Sequence, residues 1–221
     1  MTEELLDRLV RAYEQARNPE RAVAAAAYMR DQFPFLGFAV PMQRKLGRSV
    51  MAGLPAPTAD ELVTIALTCW NMAEREYQYF TIDYLRTYPP GPSFLPTLRT
   101  LITTKPWWDT VDGLATRVTG DLVHRHRTLV TTMDTWSTDD NLWLVRTAIL
   151  HQLHWGADTD TERLFTYCTR QGTHPDFFVR KAIGWALRHY ARTDPDAVRA
   201  YLSANRERLS PLSVREAAKH L

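Results

Sequence analysis

Apolar residues recur at spacings of three and four along most of the chain, as in Leu62, Ile65, Ala66 and Cys69, which turns one face of a 3.6-residue helix toward a core. Pro19, Pro41, Pro106, Pro175, Pro195 and Pro211 stand immediately before such amphipathic stretches, where a missing N–H costs nothing in the first helical turn. Asn18, Thr58, Asp158, Asp194 and Ser210 also precede them and read as N-caps. Alternating β-branched runs are missing, as are the hairpin turns they would flank, and the nine glycines fall mostly between helical stretches. The patterning predicts an all-α protein of about a dozen helices.

The chain also matches itself. Val145, Arg146 and Ala148 form a Val-Arg-x-Ala element that returns at Val179, Arg180 and Ala182 and again at Val214, Arg215 and Ala217, at offsets of 34 and 35 residues. One further step of 34 backwards reaches Val111, but the next residue there is Asp112 rather than Arg. The period is that of tetratricopeptide repeats, whose Trp, Leu-Gly and Tyr pattern is not recognisable. The Val-Arg-x-Ala element at the start of a second helix instead resembles a short HEAT repeat. That resemblance implies a right-handed solenoid of antiparallel helix pairs over one domain, residues 1–221, with one helix of each pair lining a concave surface. Residues in the same register would then form a row along it.

Composition narrows the function classes. The 221 residues, 45% hydrophobic and 24% charged, are the balance of a folded protein rather than a disordered one. Glu3 and Glu4 stand where a secretory signal needs positive charge, and the small apolar run at residues 22–29 is far short of a bilayer span, so the expectation is a cytoplasmic protein. Cys69 and Cys168 are isolated and read as buried thiols rather than zinc ligands or a disulfide. A net charge of +2 does not by itself mark a nucleic-acid binder, although 23 of the 27 cationic residues are Arg, the side chain that grips phosphate bidentately and stacks on rings.

Two segments concentrate candidate chemistry. Around Pro106, Trp107, Trp108, Asp109 and Asp112 fall at one helix start, and Trp108 and Asp112, four apart, share a face. Asp112 occupies the register where later repeats carry Arg146, Arg180 and Arg215, so it reads either as their salt-bridge partner or as a functional carboxylate. Trp107 is expected in the core, as are Leu142, Trp143 and Ile149. After Pro175, Lys181, Trp185, Arg188 and Arg192 make a basic stripe around an indole. Such a stripe is either a solvated face or a surface for a phosphate backbone with a base or sugar stacked on the ring. His151 and His154 lack a third ligand and an HExxH context, so no metal is expected. Serine-hydrolase elbows and phosphate-cradling glycine loops are absent.

These residues together resemble the bacterial DNA alkylation repair protein family, HEAT-like-repeat glycosylases that release N3- and N7-alkylated purines. The resemblance covers most of the chain. It rests on Tyr28-Met29-x-x-x-Phe33 with Phe35-Leu36-Gly37, Glu74-Arg75-Glu76-Tyr77-Gln78, Lys105-x-Trp107-Trp108-Asp109-x-Val111-Asp112 and Asn141-x-Trp143-Leu144-x-Arg146. The longest blocks are Phe177-Phe178-x-x-Lys181-Ala182-Ile183-Gly184-Trp185-x-Leu187-Arg188 and Pro211-Leu212-Ser213-x-Arg215-Glu216-Ala217. Carried across, the family's catalytic carboxylate falls on Asp112, its cleft tryptophans on Trp108 and Trp185, and its cleft arginine on Arg146, with Lys181 and Arg188 as further DNA-binding residues. Ala39 departs from the pattern, since better-known members carry Gln there.

The resemblance implies a monofunctional glycosylase, acting as a monomer on double-stranded DNA that contains alkylated purines. It implies no cofactor, no membrane partner, and a cytoplasmic, nucleoid-associated location. The family is thought to work without flipping the base into a pocket. Two rivals stay open: a non-catalytic binder of distorted or branched DNA, and a protein-binding scaffold.

Overall fold

Most of the helix signals resolve into hydrogen-bonded caps in the computed structural model, which describes residues 1–221 apart from the side chain of residue 220. The Asn18 side chain accepts from Arg21 N at 3.0 Å, and Thr58 and Glu61 exchange both bonds of a capping box. Asp194 and Ser210 cap their helices as expected. One cap moves: Asp160, not Asp158, accepts from Arg163 N at 3.0 Å. Asp158 is taken up by the 3₁₀ turn Gly156–Asp158, and its carboxylate meets the His124 ring at 3.0 Å. Pro19, Pro195 and Pro211 open their helices and Pro41 takes the second position, whereas Pro106 and Pro175 stand just outside the capping residues Trp107 and Asp176. The result is fourteen α-helices, with no strand among the described residues.

The chain divides into two compact units, Met1–Thr97 and Leu98–Leu221. The first holds α1 (Thr2–Gln15), α2 (Pro19–Tyr28), α3 (Val40–Met51), α4 (Ala59–Asn71) and α5 (Arg75–Thr87). Leu5, Leu9, Tyr13, Ile65, Ala66, Cys69 and Phe80 are fully buried there. The Glu74 to Gln78 block serves this core. Glu76 is buried and accepts from the backbone N–H groups of Leu36 (2.9 Å) and Gly37 (2.8 Å), while Gln78 donates to the Trp70 and Met72 carbonyls at the end of α4. Gly37 adopts a φ of 91°, and a Cβ there would stand 2.2 Å from Asn18 O, so only glycine fits this crossing.

α6 (Leu95–Thr103) spans the boundary between units. The second unit continues with α7 (Trp108–Gly113), a π-helical turn (Leu114–Thr119), α8 (Gly120–Arg125), α9 (Val130–Trp136), α10 (Leu142–Leu150), α11 (Thr161–Arg170), α12 (Phe177–Tyr190), α13 (Pro195–Ala204) and α14 (Pro211–Ala217). The repeat is visible in its packing, since α10 lies against both α7 and α12, and α12 against α14. Of the register residues, Val111, Val145, Val179, Ala148, Ala182 and Ala217 are buried, and Val214 is half-buried. Side chains bridge about one period: Tyr167 Oη donates to Asp134 at 2.6 Å, Gln171 Nε2 to Ser137 O at 2.7 Å and Ser213 Oγ to Arg180 O at 2.9 Å.

Gly184 sets the closest helix crossing of this unit's last pair. A Cβ at this position would stand 2.4 Å from the Glu216 Cβ, so any side chain forces α12 and α14 apart. Gly184→Ala is therefore expected to destabilise the protein by about 1–3 kcal/mol despite its better helix propensity. Urea unfolding checks this, and a gain in stability would contradict the crossing.

Candidate functional site

Asp112 lies in the fifth position of α7, directly before the helix widens into the π turn, and Thr116 Oγ1 donates to its carbonyl at 2.8 Å. Such π turns interrupt a regular ladder and are frequent at functional sites. The chain enters this helix under strain, because Lys105 takes a left-handed φ of 50° before Pro106. Trp107 packs its ring against Phe178 (centroids 5.1 Å apart) and Trp143 (6.2 Å), as expected of a packing residue. Trp108, one residue on, is half-buried and shares a helix face with Asp112.

The Asp112 carboxylate is gripped by a fork. Arg146 Nε donates to Oδ1 at 2.7 Å and Nη2 to Oδ2 at 2.8 Å, while Nη1 donates to the Phe178 carbonyl at the start of α12. One guanidinium thus ties α7, α10 and α12 together. The Asp112 side chain keeps 17% exposure, against 5% for Arg146. Burial pushes the Asp112 carboxyl above the usual carboxylate range, the Arg146 hydrogen bonds and charge pull it back, and Asp109 adds a smaller upward push. Of the two readings of Asp112 made from the sequence, the salt bridge is present, and the side chain is not fully enclosed by it. Arg146, carried over by the resemblance as the cleft arginine among the DNA-binding residues, here makes its contacts within the protein. Buried, and with its guanidinium on Asp112 and a carbonyl, it holds the carboxylate in this arrangement.

The basic stripe of α12 has a counter-ion that its own helix does not reveal. Lys181 Nζ and Arg188 Nη1 lie 3.0 and 3.1 Å from Glu216 Oε2, and Lys219 Nζ lies 2.8 Å from Oε1. Glu216 is largely buried, so three cations on one carboxylate leave a surplus of two positive charges beside the half-buried Trp185. Trp185 sits between Lys181 and Arg188 at spacings of four and three. Glu216 was legible only as part of the last repeat block, since two of its three partners, Arg188 and Lys181, lie 28 and 35 residues away.

Lys219 and Lys181 hold the Glu216 carboxyl far below its ordinary range, at about 2. A depressed carboxylate contributes stability that is present above its unfolded pKa and lost as pH falls through the folded one. Wild type is accordingly expected to exceed Glu216→Gln in stability by on the order of 2 kcal/mol at neutral pH, allowing for the partial exposure of its partners. Unfolding curves should show the gap closing between about pH 4.5 and pH 2. A gap that stays constant across that window would contradict the assignment.

The two histidines weighed as ligands part company. His151 is fully buried, its Nδ1 2.7 Å from Ala148 O, whereas His154 is exposed beside His189. Desolvation pushes both down to about 4. Cys69 and Cys168 are free, buried thiols, and burial raises both, Cys69 to about 12. No grouping of His, Cys, Asp and Glu suited to a metal occurs among the described residues, and no helix there is long and apolar enough to cross a membrane. In the first unit, Ala39 borders an apolar cavity of about 400 Å³ with Tyr28, Phe35, Phe38 and Val40.

The family model described as DNA alkylation repair enzyme matches residues 9–221. The chain belongs to the DNA alkylation repair enzyme family. Membership carries a role in the repair of alkylated DNA and makes DNA the partner. Among solved structures, a protein titled a predicted DNA alkylation repair enzyme, from Enterococcus faecalis, is 30% identical at a TM-score of 0.85, over 93% of this chain and 96% of that one. Another, smu.31 from Streptococcus mutans, shares the fold at a TM-score of 0.64 and 13% identity, over 82% of this chain and 96% of that one. No curated protein matches.

Proposed function

We propose that the protein is a DNA glycosylase that hydrolyses the N-glycosidic bond of positively charged N3- and N7-alkylpurines in duplex DNA. The observation that carries this reading is Asp112, a carboxylate fixed by Arg146 on a side chain that keeps partial exposure. An N3- or N7-alkylpurine already carries positive charge, so its base departs neutral and needs little acid catalysis. What the reaction needs is stabilisation of an oxocarbenium-like sugar as the bond to C1′ stretches. A fixed carboxylate beside C1′ attracts that charge without reorganising, and a remaining lone pair on it orients the attacking water. The water adds to C1′ and its proton passes to solvent through Asp112.

Trp108 and Trp185 supply electron-rich faces, each worth roughly 0.5–2 kcal/mol toward a cation. Lys181 and Arg188, in surplus over Glu216, take backbone phosphates, while Arg146 stays on Asp112 and holds it in place. In this reading the repeat helices line a concave surface that holds the duplex, and catalysis works from the sugar side without extruding the base. Selectivity then comes from the lability of the lesion itself, so bulky cationic adducts are tolerated and neutral lesions are poor substrates.

A second reading is favoured by the same salt bridge. A carboxylate neutralised by a bidentate arginine is also what a structural pair looks like, and a protein that keeps the fold as a non-catalytic binder of distorted DNA would need no more. The deciding experiment is release of 7-methylguanine from a defined duplex, with affinity for that duplex measured on the same samples. Excision supports the glycosylase, whereas tight, salt-dependent binding without excision supports the binder.

A further inference from the structure

The first unit contains a cavity that the proposed chemistry does not use. It encloses about 360 Å³ and is bordered by Tyr13 of α1, Gln43, Arg44 and Arg48 of α3, and Asp83 and Arg86 of α5. That volume is in the range of small-ligand sites. Arg44 and Arg48 stand one helical turn apart, so both side chains fall on one face of α3. Neither has a hydrogen-bond or ion-pair partner among the described residues, and both are exposed. Arg86 is only loosely held, with Nη1 3.3 Å from Asp83 Oδ1. Three guanidiniums against one carboxylate leave a surplus of two positive charges around the cavity.

Two uncharged walls add to this. Gln43, 4% exposed, borders the cavity as well. Tyr13 is fully buried and its hydroxyl has no partner. Buried polar groups are nearly always paired, so an orphan hydroxyl bordering a cationic cavity marks a place completed by something polar. Gly47 keeps the wall between the two arginines free of a side chain.

We infer that this cavity binds a phosphate monoester. A monoester carries close to two negative charges at neutral pH and several acceptor oxygens, which match the surplus charge and the donors of Arg44, Arg48, Arg86 and Gln43. A backbone diester carries only one charge and matches it less well. The monoester comes either from a free nucleotide or from the phosphorylated end of a DNA strand. Neither source depends on Asp112 or on glycosylase activity, so this site and that reaction stand or fall separately.

Titration calorimetry on the full-length protein tests the assignment with inorganic phosphate, adenosine 5′-monophosphate, adenosine, and one duplex with and without a 5′-phosphate. Saturable binding of phosphate and the monophosphate is expected, with adenosine silent. A stronger response to the monophosphate identifies a free nucleotide, and a gain on adding the 5′-phosphate to the duplex identifies a strand end. In Arg44→Glu/Arg48→Glu, affinity for the phosphate probes should fall about tenfold or more, and in Arg44→Lys/Arg48→Lys it should be partly retained. Both positions are exposed, so both variants are expected to melt like wild type. The site is overturned if no phosphate probe binds saturably, if adenosine binds as well as its monophosphate, or if the charge reversal leaves binding unchanged.

Discussion

Asp112→Asn is expected to slow excision of 7-methylguanine by about 10²–10³-fold while leaving duplex affinity within a few-fold of wild type. The substitution preserves the shape of the side chain and removes its negative charge. If Asp112 works by attracting the positive charge that develops at C1′, that attraction exists mainly in the transition state, so the rate falls and ground-state binding does not. The Asn amide keeps one of the two acceptors of the Arg146 fork and Arg146 keeps the Phe178 carbonyl, so α7, α10 and α12 should stay tied at some cost in stability, which melting of the variant reads. Single-turnover excision and equilibrium binding on the same duplex read the two effects apart. Equal excision by both proteins would return Asp112 to a structural role, and parallel loss of binding and excision would mean that the variant damages the surface rather than the chemistry.

Arg146→Met should be the more damaging substitution for stability, by about 3–5 kcal/mol at neutral pH. It leaves the Asp112 carboxylate in a largely buried site with neither of its two close donors, and it also strips the Phe178 carbonyl of a charged donor. Burial already pushes the Asp112 carboxyl upward and Arg146 is the group that opposes it, so removing Arg146 raises that pKa further. A carboxylate raised in the folded state favours folding in acid and opposes it as pH rises through its folded pKa. The gap between wild type and Arg146→Met is therefore expected to widen from acid to neutral pH in urea unfolding. Any residual excision should have its acidic limb displaced to higher pH, because the reaction needs Asp112 ionised. Arg146→Met/Asp112→Leu should recover much of the stability, since replacing both members of a buried pair by apolar groups is often neutral, and it should show no excision. A variant as stable as wild type at pH 7 would show that the fork contributes little.

Helix existence, caps and repeat register were legible in the sequence because they are set by residues one to four apart. Thr58 with Glu61, Asn18 with Pro19 and the inward-facing Val and Ala of the repeats, all but Val214 buried, follow from that local geometry. The one cap that moved, from Asp158 to Asp160, lies where a 3₁₀ turn runs directly into a helix, and two acidic residues two apart are equivalent to a periodicity argument. The aromatic and charged residues near the start of α7 and along α12 were legible too, because tryptophans interleaved with charges are unusual on a helix. What each of them touches was not.

By itself, then, the sequence determined an all-helical chain, its repeat of 34 to 35 residues and a short list of candidate side chains for the proposed chemistry. The tertiary structure decided the partners. It gave Asp112 to Arg146 and placed Lys181, Arg188 and Lys219 on Glu216. It also divided the chain into two units and left Arg44 and Arg48 facing a cavity without a counter-ion. The physical reason is one of range. Helical periodicity says which residues share a face, but a pairing across about one repeat depends on how closely successive helices stack, and that distance is set by residues such as Gly184 and the buried register positions acting together.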